Sequence, residues 1–292
     1  MLKKALLLIL LSFPICLSAQ VKPPEYQAEI GTIAQLGTQK PFWLISNQDG
    51  QFHPDHSSLF GGIYIGSEVE FQNDLFQETE DTTTAFTLDY GLELFNRYNG
   101  NYDIRLNQYY AEASWWHFSL QAGAKAESFG NQYDPLSSGS LLYSRNGRPI
   151  PKVAVSSDYI DLPYSQGYIE LRGYLAHGWF EKDRYTESPY LHHKNVYVRV
   201  GGDFPLNAHY GFHHYAIWGG KSPDYGQMPE DWEAYRKVFL ARKGDTANVP
   251  LREVLNSMGD HKGSRNFGLE YDGKDFGLQL YWQTIFEDNS GK

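Results

Sequence analysis

The sequence predicts an all-β protein, an antiparallel transmembrane β-barrel of the outer-membrane type. Three observations predict it: an export signal at the start, a hydrophobic period of two behind it, and aromatic residues near the ends of the alternating stretches. Tyr, Phe and Trp make up 16% of the 292 residues. Mean hydropathy is −0.52, too polar for a bundle of membrane helices but compatible with a barrel whose inward residues are polar. The formal charge of −10 argues against a nucleic-acid partner, because phosphate binding needs clustered Lys and Arg.

The first element is the address. Lys3 and Lys4 precede the apolar run Ala5–Leu11, and Ser18-Ala19 supply small residues before Gln20. This reads as a secretory signal over 1–19, with the barrel in 20–292. The run is too short to span a bilayer, which takes about 20 residues. The single cysteine, Cys16, lies inside the signal, so the mature chain is expected to have no disulfide.

Strands follow. Ile63, Ile65, Val69 and Phe71 fall on one face of a stretch, with Tyr64, Glu68 and Glu70 on the other. Phe86, Leu88, Tyr90, Leu92 and Leu94 alternate with Thr87, Asp89, Gly91 and Glu93. Ile169, Leu171 and Leu175 alternate with Glu170, Arg172 and Tyr174, and Val196, Val198 and Val200 with Tyr197 and Arg199. Phe276, Leu278, Leu280 and Trp282 close the series. Roughly ten to twelve strands match this template. They fall near 25–36, 58–74, 84–97, 103–115, 117–127, 165–180, 191–204, 206–219, 261–272 and 275–287. Asp272-Gly273 marks a hairpin. Soluble β-sandwiches alternate too. Charged residues in mid-strand, aromatics at strand ends (Trp115, Trp116, Trp179, Phe180, Trp218, Trp282) and turns that alternate short with long favour the barrel.

Two segments break the period. Residues 128–164, rich in Pro, Ser, Gly and Asn, read as an ordered loop or a chain folding into the lumen. Residues 229–242 carry Trp232, Tyr235, Val238 and Phe239 at helical spacing, and a second short helix is expected at 250–257.

Chemistry is diffuse. His192-His193 and His213-His214 are adjacent pairs, and neighbours on a strand face opposite sides, which is poor chelating geometry, so no metal is expected. The serines of the loop lack a nucleophile elbow, and no spacing selects a carboxylate pair. No cofactor is implied. Aromatic rings with Asn, Asp, Glu and Arg suit a carbohydrate surface, and equally a porin lumen.

The segment Leu136–Pro151, with its serines and the run Arg145-Asn146-Gly147-Arg148-Pro149-Ile150-Pro151, resembles the central motif of the capsule assembly Wzi family. Asn256–Ser264 followed by Phe267-Gly268-Leu269-Glu270-Tyr271, and Phe286–Gly291, resemble further family segments. The resemblance implies an outer-membrane, lectin-like barrel that holds capsular or extracellular polysaccharide without turnover. Its partners would be that polysaccharide and outer-membrane lipid. The family barrel has more strands than are counted here, and the chain ends Asn289-Ser290-Gly291-Lys292 instead of on an aromatic closing strand. An N-terminal portion of a larger barrel is therefore expected, whose first and last strands do not pair.

The expected polysaccharide-binding residues are Arg145 and Arg148, the strand residues Glu170, Arg172 and Tyr174, and the loop residues Trp179, Asp183, Arg184 and Tyr185. Guanidinium forks suit acidic sugars, and rings stack on sugar faces. The structural alternative is that Arg145 and Arg148 pair with Glu93, Asp89 or Glu170 and pin the loop. A porin-like diffusion channel, and at lower weight a barrel enzyme acting on lipid or glycan, remain open as other functions.

Overall fold

The computed structural model describes residues 17–37, 40–52, 57–73, 86–133, 136–137, 139–244, 250–251, 254 and 257–287. The long strands are β2 (Glu25–Ile33), β3 (Ser58–Asn73), β4 (Phe86–Tyr98), β5 (Tyr102–Trp115), β9 (Ile169–Trp179), β10 (Tyr190–Val200), β11 (Leu206–Trp218), β14 (Asp260–Asp272) and β15 (Gly277–Glu287). Between β5 and β9 lie the shorter β6 (Phe118–Ala124), β7 (Lys152–Ser157) and β8 (Ile160–Asp161). These strands and β1 (Leu17–Val21) form one 13-stranded sheet in which every ladder is antiparallel. The pair β12 (Lys221–Ser222) and β13 (Gly226–Gln227) is separate. No helix among the described residues is long and apolar enough to cross a membrane.

Order along the sheet follows the chain, β3-β4-β5-β6-β7-β9-β10-β11-β14-β15, with β1 and β2 both on β3. Among the described residues no ladder joins β15 to β1 or β2. Both ends of the sheet nonetheless touch one loop. Asn47 Nδ2, in the link after β2, donates to Ser137 O, while Tyr281 Oη of β15 lies 3.3 Å from Ser137 Oγ. The sheet therefore curves around its loops. The expected cut after Ala19 falls inside β1, and the rest of the signal lies outside the described residues.

Side chains alternate as the period demands. Leu59, Ile63, Leu92, Leu94, Ile104, Leu120, Val155, Val196, Phe267, Leu269, Leu278, Leu280 and Trp282 are exposed on the outer face. Glu93, Arg97, Gln121, Lys152, Glu170, His193, Asn195, His213 and Asn266 are buried on the inner face. The links 34–57, 125–151, 180–189 and 219–259 gather at one rim, with the tight 99–101 turn among them. The other rim carries the short links 116–117, 201–205 and 273–276 together with the longer 158–168, which holds β8.

Three expectations are corrected. Residues 128–164 contain β7 and β8; Val153 and Val155 alternate there, but Pro151 and flanking polar residues hide a strand of only six residues. The helix over 229–242 is shorter, α1 (Trp232–Phe239), and starts after Asp231, whose carboxylate caps it by accepting from Ala234 N at 2.8 Å. Trp218 is not a girdle residue: it is buried with Ala216, Ala234, Val238 and Met258, where α1 packs on the outer face of β11. Of the helix expected at 250–257, residues 252, 253, 255 and 256 lie outside the described residues.

Candidate functional site

The loop rim holds a cavity of about 460 Å³. Its walls come from the 125–151 link, the first half of β5, the end of β9 and the link after it. Arg145, Arg148, Trp179 and Arg184 all line it, so the structure brings together four of the residues expected to bind. Asp49, Glu127 and Glu181 are the acids around them.

Arg145 is held in place. Its Nε donates to Asp49 Oδ1 at 2.9 Å and its Nη2 to Asp49 Oδ2, a two-point pair, while Asp49 N donates to Arg145 O at 2.6 Å. Asn47 N donates to Asn146 Oδ1 at 2.9 Å. The close approach requires Gly50, at φ 67°, because an added Cβ would lie 2.9 Å from Arg148 N. Burial pushes the Asp49 carboxyl up, and the Arg145 guanidinium opposes that shift.

Arg148, three residues on, pairs with Glu181 across an exposed gap. Arg184 lies over the Phe180 ring, 4.1 Å from its centroid, and has no ion-pair partner among the described residues. Trp179 and Phe180 thus stand beside two guanidinium groups that face solvent. This arrangement can bind an anionic group and stack on a flat ring at once.

Beneath the cavity the fill changes. Lys152 is buried, with its ammonium paired to Glu127 and 5.4, 5.6 and 5.9 Å from the ring centroids of Phe129, Tyr143 and Tyr174. Phe129 packs edge-on against Tyr143, Tyr174 and His193. Burial pushes the Tyr143 hydroxyl up, against the pull of Lys152. The 128–151 segment therefore enters the space inside the sheet, as its composition suggested.

The other expected residues lie elsewhere. Glu170 takes both contacts from Arg199. Arg172 sits 5.0 and 4.8 Å from the Tyr159 and Tyr197 ring centroids. Tyr174 belongs to the aromatic fill. All three face inward, but the inner face of β9 carries them below the cavity. Asp183 is exposed on the 180–189 link. Tyr185 donates to Asp224 at 2.7 Å and lines a second cavity with Tyr225 and Met228. Nor do Arg145 and Arg148 take the carboxylates expected in the structural alternative. Glu93 is engaged by Gln51, Asn107 and Gln108, and Asp89 by Lys125.

Asp49, Glu127, Lys152 and Glu181 were not singled out by sequence reasoning. Asp49-Gly50 carried a turn signal, and Lys152 is a lone cation at the start of a Val-Ala-Val strand. The adjacent histidines divide as strand geometry requires: His193 and His213 face in, while His192 and His214 face out beneath α1. Among the described residues no group of three His, Cys, Asp or Glu is set to hold a metal.

A family model for the capsule assembly protein Wzi matches residues 33–292. No curated protein and no solved structure matches the chain.

Proposed function

The chain belongs to the capsule assembly Wzi family, and from that premise we propose an outer-membrane barrel that binds acidic capsular or extracellular polysaccharide at the cavity of the loop rim, without turnover. The signal over 1–19 would export it and be removed. The apolar outer face supports the membrane: removing each exposed Leu, Ile or Phe from water is worth about 1.5–3 kcal/mol, and an inward polar face is the barrel pattern. The three longest links, 34–57, 125–151 and 219–259, share the cavity's rim, which supports a cavity facing the cell exterior.

The observation that carries the binding reading is the juxtaposition of Arg148 and Arg184 with Trp179 and Phe180 in one cavity. The chain's net charge is −10, so these cations are a local exception, suited to a sugar acid. The diffusion-channel alternative needs an open interior, and Phe129, Tyr143 and Lys152 packed against β9–β11 speak against it.

The test is retention of surface polysaccharide in cells lacking the gene and complemented with the full chain or with Arg148→Ala/Arg184→Ala. Wild type restores attached polysaccharide and the double variant does not, at equal levels of folded protein. Equal restoration by both removes the cavity from the reading. No change on deletion, with no glycan bound by the purified chain, removes the reading itself.

A further inference from the structure

Resting on the glycan-binding reading above, we propose that this cavity opens sideways through the wall, and that its ligand is a lipid-anchored acidic glycan whose anchor phosphate sits in the opening. The wall steps down beside β5. At the turn rim β5, β6 and β7 are level, since Trp115 faces Phe118 and Phe118 faces Ser157. Yet β6 and β7 have 7 and 6 residues where β5 has 14. Against β5 the shortfall lies at the loop rim, while β9 ends there level with β7, since Lys152 faces Gly178 and Trp179 N donates to Pro151 O at 2.9 Å.

There, residues Tyr102–Gln108 of β5 pair with β4 on one side and with no strand on the other, among the described residues. The β4–β5 register shifts between Glu93 and Leu94 at that level, with Asn107 the extra residue. A free strand edge facing hydrocarbon costs several kcal/mol for each unpaired backbone group, so this gap needs a polar occupant.

The lips of the gap are apolar. Leu106 and Tyr109 on one flank and Trp179 on the other are 41%, 37% and 43% exposed on the outer face, yet they line the same cavity as Arg148 and Arg184. Trp179 can stack on a sugar ring, but a soluble sugar has no use for an aliphatic Leu106 on the membrane side. An amphipathic ligand does: its chains lie along the outer wall, its phosphate meets the guanidinium groups, and its glycan continues outward. Among the cavity's charged side chains Arg184 has no ion-pair partner in the described residues, and Arg148 has only an exposed one. A single anionic headgroup matches that surplus.

The test uses the full chain in phosphatidylcholine nanodiscs doped with diphosphoryl lipid A, then mild detergent extraction and native mass spectrometry. A parallel arm measures binding of soluble polygalacturonate. Wild type should carry one lipid A through extraction. Arg184→Ala, an exposed change that leaves folding intact, should carry about tenfold less. Leu106→Gln should carry about threefold less lipid A. Equal retention by wild type and Arg184→Ala overturns the proposal. Displacement of lipid A by millimolar-range inorganic phosphate would make this a free-phosphate site and overturns the lipid source. Polygalacturonate bound with no lipid A retained overturns the window and leaves the glycan reading standing. Neither probe bound removes both.

Discussion

Beside β4 and β5 the interior is held by charges; beside β9–β11 it is held by rings. In the first region Arg97 reaches Asp103 and Gln51 O, Arg105 reaches Gly50 O, and Arg145 grips Asp49. In the second, Phe129 and Tyr143 pack against Tyr174, His193 and Tyr215, with Lys152 set among them. Both regions fasten a loop to the inner face, but by different physics. Half-wet ion pairs exchange partners at small cost, because water screens what is lost. A buried ion pair among rings does not, because a stranded charge has no water to turn to. The difference separates roles: the aromatic region is the anchor, and the charged rim beside it is where the proposed ligand would replace a protein carboxylate.

The largest effect should come from breaking the anchor. Lys152→Met leaves the Glu127 carboxylate without its partner and should cost about 3–5 kcal/mol, read as a fall in the temperature at which the folded band is lost on a gel. Lys152→Met with Glu127→Gln should recover most of it, since no charge is then stranded. If the double variant is as weak as the single one, packing and not charge is what the lysine supplies.

Arg145→Ala comes next, at about 1–3 kcal/mol, together with faster proteolysis in 40–52. Its pH dependence has a definite sign. Burial raises the Asp49 carboxyl above its unfolded value. The group therefore favours folding most in acid, below the unfolded value of about 3.9, and that share is lost as pH rises through the raised folded value. Removing the guanidinium raises the carboxyl further, so the deficit of Arg145→Ala should shrink on going from pH 7 to pH 4. A deficit constant across that range contradicts the assignment.

Arg148→Ala should be the mildest for stability, within about 1 kcal/mol, because Glu181 is exposed. Glycan retention should fall all the same. A large loss of heat resistance with normal glycan binding would place Arg148 with the anchor.

The strands were legible because membrane walls force a strict period of two: Leu92, Leu94, Leu278 and Leu280 could point only one way. The short β7 was not, because six residues behind Pro151 carry too few alternations to stand out from the loop around them. Nor was the position of α1. Its signal was present, since His192, Lys194, His214 and His261 are polar residues on outward positions, and a wall facing lipid does not carry such a row. They are covered by α1 and Met258: His192 lies against Phe239, Lys194 Nζ donates to Phe239 O, and His261 Nε2 lies 2.6 Å from Met258 O. Of the site, Arg145, Arg148, Trp179 and Arg184 were found by residue type and by family resemblance. Glu170, Arg172 and Tyr174 were assigned with them from their shared inward face. Inward direction is set by the period, but height along a strand is set by register with neighbours, which no single stretch encodes.

The most direct test is equilibrium binding of a soluble acidic polysaccharide to the purified full chain, compared between wild type and Arg148→Ala/Arg184→Ala. Binding should weaken by about tenfold or more in the double variant and at higher salt, with the folded band equally heat-resistant in both proteins. Unchanged affinity in a fully folded double variant would contradict the account.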